Sequence, residues 1–174
     1  MIVSYLSPKA EARRSELDGR GTFSVAPIAA GEMVALFGGH VYDLATYEKL
    51  SPQLQAITIS IWPGFQMGPV EDSEIGDADF VNHSCAPNCG IKGQLMVVAL
   101  TDIPAGAELT FDYGTVLVEH GDGVFRMDCR CGTSRCRGQI TSDDWRIPEL
   151  RQRYAGYLSV AVQALVDADE RAQP

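Results

Sequence analysis

Phe80-Val81-Asn82-His83-Ser84-Cys85-Ala86-Pro87-Asn88-Cys89 is the stretch on which the reading of this chain turns. An apolar pair leads in and a Pro-Asn turn leads out, so the polar residues stand where a strand meets a turn. Asn82 and His83 present a carboxamide and an imidazole side by side, able to bond the polar edge of a ligand and neighbouring backbone. Taken alone, such a pair also satisfies local backbone groups in a turn.

Upstream, Asp18-Gly19-Arg20-Gly21-Thr22-Phe23 opens a short strand predicted over 22–25. Glycines beside a strand let the backbone approach a ligand closely, because no Cβ intervenes. Gly-Arg-Gly by itself is also an ordinary tight turn. Downstream, Glu108-Leu109-Thr110-Phe111-Asp112-Tyr113-Gly114 reads as a strand over 108–111. Cys129-Arg130-Cys131-Gly132 and Cys136-Arg137-Gly138 then form a Cys-x-Cys-x4-Cys cluster. The five cysteines are an odd number and tightly grouped, which suits a disulfide framework poorly. Thiolate ligands for a metal in a reducing compartment fit better, and reduced, metal-free thiols are the plainer alternative. Zinc favours four ligands, of which Cys129, Cys131 and Cys136 supply three.

The remaining sequence frames these motifs. A length of 174 residues suits one domain with a real core. Met33 to Phe37 reads as a strand, and Asp43 caps a helix whose face is Leu44, Tyr47, Leu50 and Leu54 until Pro52 limits it. Ile57, Ile59 and Ile61 alternate with Thr58 and Ser60 as in a half-buried strand. Leu95 to Leu100 reads as a buried strand. The turn Ile-Pro-Ala-Gly-Ala-Glu at 103–108 echoes Ile-Ala-Ala-Gly-Glu at 28–32. Residues 114–128 read as an irregular surface loop. Asp143, Asp144 and Pro148 open a helical tail over Leu150, Tyr154, Leu158, Val162 and Leu165, split at Gly156, with 167–174 frayed. No apolar run reaches the ~18 residues that span a membrane. The first ten residues lack a secretory signal, so the expected location is the cytoplasm. A net charge of −9 disfavours direct nucleic-acid binding and favours a basic partner, although solubility alone also accounts for it.

Together and in this order, the segments 18–23, 80–89, 108–114 and 129–138 resemble the SET domain of protein lysine methyltransferases with its cysteine-rich post-SET segment. The resemblance covers about residues 15 to 140, and the tail Asp143-Asp144-Trp145 with Pro148-Glu149-Leu150 resembles the extension of small bacterial SET proteins. It implies a mostly β, α+β architecture, the SET (β-clip) fold. Several small antiparallel sheets would surround a knot-like substructure. The implied limits are 1–125 for the SET domain, 126–140 for the post-SET zinc segment and 141–174 for a helical tail on the same domain.

The resemblance also implies chemistry. S-adenosylmethionine would bind at Gly19, Arg20, Gly21, Asn82 and His83. Cys85 would join Cys129, Cys131 and Cys136 around a structural zinc, leaving Cys89 as a small buried residue. Tyr113 would point its hydroxyl to the place where methyl group and amine meet. Phe111 would leave room for more than one methyl group. Two departures stand out: Phe37 lacks the hydroxyl of the family's usual tyrosine, and Asp79 replaces a frequent arginine. Without that hydroxyl, a lysine in a basic protein or peptide and a small-molecule amine both stay open as acceptors. A catalytically silent binding module is a third reading, against which the retained Tyr113, Asn82 and His83 argue.

Overall fold

The computed structural model describes residues 4–118 and 123–172. Short strands dominate its first half: β1 (Tyr5–Leu6), β2 (Ala10–Arg14), β3 (Arg20–Ser24), β4 (Met33–Leu36) and β5 (His40–Asp43). Asp43 caps α1 (Leu44–Tyr47), accepting from the Thr46 amide, as its sequence predicts. The single helical face expected through Leu54 is instead two helices. Ser51 accepts from the Leu54 amide, and Pro52 opens α2 (Pro52–Ala56), because a missing N–H is harmless in a first turn.

The hairpin β6 (Ile59–Trp62) and β7 (Phe65–Gly68) follows. The predicted alternation of Ile57, Ile59 and Ile61 breaks here. Ile57 closes α2, the register shifts between Ser60 and Trp62, and Ser60 is 1% exposed. Next come β8 (Asn82–His83), β9 (Cys89–Lys92), β10 (Met96–Ala99), β11 (Thr110–Phe111), β12 (Arg126–Asp128) and β13 (Gln139–Thr141). The tail holds α3 (Pro148–Arg153) and α4 (Val160–Ala172).

The strands form five small sheets: β1-β4-β10-β9, β2-β3, β5-β7-β6, β8-β11 and β12-β13. All pair antiparallel except β8 with β11, which run parallel with Asn82 opposite Thr110 and His83 opposite Phe111. Val34, Ile91 and Val97 are fully buried in the four-stranded sheet and join Leu109, Phe111 and Val116 in the main core. Each such side chain contributes about 1.5–3 kcal/mol by leaving water. The echoed turns meet: Ile28 and Ile103 exchange backbone hydrogen bonds of 3.0 and 2.8 Å.

A second core joins Val118 and Trp145 to Leu150, Tyr154, Leu158, Val162 and Val166. Gly156, at φ +81°, separates the two tail helices as expected. α4 runs on to Ala172, where fraying was expected, and Arg151 grips Asp169 at 2.7 Å within that stretch. The segment 114–128 is more ordered than a loop. Asp112 caps a turn at Tyr113–Thr115, Val118 is fully buried, and β12 closes the segment. Residues 119–122 of that segment, 173–174 of the tail and 1–3 at the N-terminus lie outside the described residues. No described helix is long and apolar enough to cross a membrane.

Candidate active site

Two cavities meet at Tyr113. The larger is a cleft of about 860 Å³ between the 17–20 segment, α2 with the start of β6, the β8 pair Asn82–His83, and residues 125–131. Gly19 turns the chain at φ +52° and lines this cleft with Arg20. The Arg20 side chain leans away, pairing with Asp77 at 3.2 Å and stacking 3.9 Å over Phe80. Gly21 lies behind the cleft wall: a Cβ there would overlap the Glu108 carboxylate and crowd Asn82.

That packing positions Asn82. Its Nδ2 donates to the Arg20 carbonyl and to Glu108 Oε1, both at 2.8 Å, while Ser15 donates to the same carboxylate oxygen at 2.7 Å. Both amide hydrogens are thus committed, and what Asn82 offers a ligand is its carbonyl oxygen. Asn88 does similar work next to β11, donating to the Glu108 carbonyl at 2.8 Å and accepting from the Thr110 amide at 3.0 Å.

The smaller cavity, about 60 Å³, is walled by Phe37, Ile59, Met67, Val81, Phe111 and Val116. Tyr113, Asp79, Thr58, Ser60 and Leu117 line both cavities. Phe111 packs between Phe37 and Tyr113, at 5.8 and 4.9 Å. The Tyr113 hydroxyl donates to the Val81 carbonyl at 3.1 Å. Burial, with the carboxylates of Asp18 and Glu108, pushes this phenol up, so it stays protonated and acts as a dipole rather than a base. Asp79 accepts from Ser4 at 2.7 Å and from the Gly76 amide at 2.8 Å; burial raises its pKa.

The cysteines gather beside the cleft. Ligand atoms of His83, Cys85, Cys129 and Cys131 all lie within 4.8 Å of one another, and the Cys85 and Cys129 sulfurs are 3.7 Å apart. A tetrahedral zinc with bonds of ~2.3 Å has ligand edges of roughly 3.8 Å, so these donors fit one. Cys136 is exposed and stands at the rim of this group, its thiol 3.9 Å from the Cys129 carbonyl. Burial, with the thiols of Cys131, Cys136 and Cys85, pushes Cys129 up. Burial opposes ionisation of Cys131 too, but hydrogen bonds from Thr133 and from the Cys85 backbone outweigh it and bring this thiol down to about 6. Cys89 lies apart, fully buried.

His83 joins the parts. Its Nδ1 accepts from the Tyr113 amide at 3.1 Å, so the ring proton sits on Nε2, which faces Cys85 Sγ at 3.3 Å. Burial pulls the imidazole down to about 4 despite Asp112 nearby, keeping it neutral. Sequence reasoning assigned no role to Asp112 or Arg137, although each sits inside a motif. Arg137 grips fully buried Asp112 through two bonds of 2.7 and 2.6 Å, reaches Asp144 at 3.0 Å, and donates its backbone N–H to Cys85 Sγ at 3.4 Å. A charged pair inside two motifs was the available signal. Glu108 was missed as well, because its partners are distant in sequence.

The chain matches the SET domain family over residues 19–114. Among curated relatives, it is 34% identical over 138 residues to histone-lysine N-methyltransferase 2B of Homo sapiens, covering 71% of this chain and 5% of that protein. It is 33% identical over 151 residues to histone-lysine N-methyltransferase NSD3 of Mus musculus, covering 79% of this chain and 10% of that one. The chain therefore spans a tenth or less of these relatives. Among solved structures, KRYPTONITE in complex with mCHH DNA, H3(1-15) peptide and SAH superimposes with a TM-score of 0.58 at 29% identity, over 77% of this chain and 30% of that chain. The matched segment holds Gly19, Asn82, His83, Phe111 and Tyr113 within more than half of the sequence, and the chain belongs to the SET-domain family.

Proposed function

We propose that this chain transfers methyl groups from S-adenosylmethionine to the ε-amine of a lysine in a basic protein or peptide. The observation that carries this reading is the pair of cavities, wide and narrow, sharing Tyr113 in their common wall. A cleft of this size suits a nucleoside-sized ligand, and the apolar channel suits an extended aliphatic side chain. The relatives' names and the neighbour's bound SAH and H3 peptide support it.

S-adenosylmethionine supplies an electrophilic methyl group on a sulfonium. Asn82 offers its free carbonyl oxygen to an ammonium, and the Gly19–Arg20 backbone offers its polar groups to the same end of the ligand. Phe37, Ile59, Met67 and Phe111 strip water from the incoming amine, whose ordinary pKa is ~10.4, and so favour its neutral form. Tyr113 and the Val81 carbonyl set fixed dipoles where charge moves. Phe111, with no hydroxyl, leaves space for more than one methyl group. The parallel pairing of β8 with β11 supports the knot-like threading.

A structural zinc, when bound, would cross-link 129–136 to the loop after β8. We assign it to Cys85, Cys129, Cys131 and Cys136. His83 is set aside as a ligand because its Nε2 carries the proton and serves Cys85 as a donor. A small-molecule amine as acceptor is the second reading, favoured by the missing hydroxyl at Phe37. Incubating the protein and a whole-cell lysate with labelled S-adenosylmethionine, then fractionating by size, tests both. Label in protein lysines supports the proposal, label only in small molecules supports the second reading, and no transferred label refutes both.

A further inference from the structure

We propose that Gln66 recognises a peptide group of the methyl acceptor next to the lysine; this rests on the function proposed above. Gln66 sits mid-sheet on β7, opposite Tyr42 on β5 and Ser60 on β6. Its side chain is 1% exposed, and neither amide atom finds a hydrogen-bond partner among the described residues. A carboxamide buried in this way weakens a fold, and an apolar side chain of the same length would serve the sheet better. Its retention points to a partner that arrives from outside.

The position says which partner. The two faces of this sheet serve the two cavities: Ile59 and Met67 line the narrow channel, Gln66 lines the wide cleft, and Ser60 lines both. Gln66 therefore stands beside the junction where the acceptor amine passes, on an element separate from Gly19, Arg20 and Asn82. A primary carboxamide offers one donor edge and one acceptor edge, the complement of a peptide N–H and C=O. An adenine edge offers the same complement, so the test must tell acceptor from cofactor.

Gln66→Met keeps the length and removes both polar atoms. The acceptor probes are N-acetyl-lysine N-methylamide, which carries two peptide groups, and n-butylamine, which carries the amine alone. KM for each is measured with labelled S-adenosylmethionine, together with calorimetric affinity for S-adenosylhomocysteine and the melting temperature. The variant is expected to raise KM for the lysine amide about tenfold, the loss of one hydrogen-bonded pair. KM for n-butylamine and the cofactor affinity should hold, and the melting temperature should hold or rise. Tyr42→Phe, which removes another buried unpartnered hydroxyl outside the cleft lining, should leave both KM values alone. Weaker S-adenosylhomocysteine binding by Gln66→Met would assign the amide to the cofactor and overturn the proposal. Unchanged KM values, or a lower melting temperature, would make Gln66 structural and overturn it too. Failure of the parent protein to methylate any amine would refute the functional reading itself, and this inference with it.

Discussion

A methyl group on residue 21 would overlap the Glu108 carboxylate and lie 2.9 Å from both Asn82 Nδ2 and Ser15 Cβ. Gly21 thus shapes the site without lining it. We expect Gly21→Ala to cost about 1–3 kcal/mol of stability, the usual range for overpacking. It should also weaken S-adenosylmethionine binding severalfold by displacing Asn82; thermal denaturation and calorimetry check the two effects. An unchanged affinity would detach Asn82 from the cofactor. At this scale, the residues with distinctive chemistry were legible in sequence: Asn82, His83, Tyr113 and the cysteines. Glu108 was not, because an ordinary carboxylate gains its role only from Ser15 and Asn82, 93 and 26 positions away. Gln66 was invisible for the same reason, since its oddity is burial without a partner.

The cysteine-bearing segment is tied to the rest of the protein by more than thiols. Asp112 is wholly buried and held by Arg137, so Arg137→Met would strand a buried carboxylate. Breaking such a pair costs about 3–5 kcal/mol. A melting experiment should show a large drop, and pairing the change with Asp112→Asn should recover part of it. An additive double variant would argue that the two groups do not depend on each other. Metal content separates the ligands: Cys131→Ser and Cys136→Ser should lose zinc, whereas Cys89→Ser and His83→Gln should retain it. Retention by Cys136→Ser with loss in His83→Gln would hand the fourth position to the imidazole. Elements were legible where local signals were strong, as with the Asp43 cap and the Gly156 break. They were not where pairing is long-range. β8 and β11 are two residues each and exist only because each pairs with the other, and the bulge at Ser60 undid the expected alternation.

Across the whole molecule, five small sheets and a helical tail hold a wide cleft and a narrow channel against one tyrosine. The tail contributes directly, since Arg153 of α3 donates to the Cys85 carbonyl at 3.2 Å. The account stands or falls on Tyr113. Tyr113→Phe removes one hydroxyl and almost no volume, so fold and cofactor affinity should survive. A dipole placed for the transition state contributes to rate rather than to ground-state binding, and losing one typically costs on the order of 10²- to 10³-fold in turnover. The most direct measurement is single-turnover methylation of a Lys-containing peptide by the parent and Tyr113→Phe proteins at saturating S-adenosylmethionine. The account predicts a rate lower by that factor with unchanged cofactor binding and melting; equal rates would contradict it and remove Tyr113 from the chemistry.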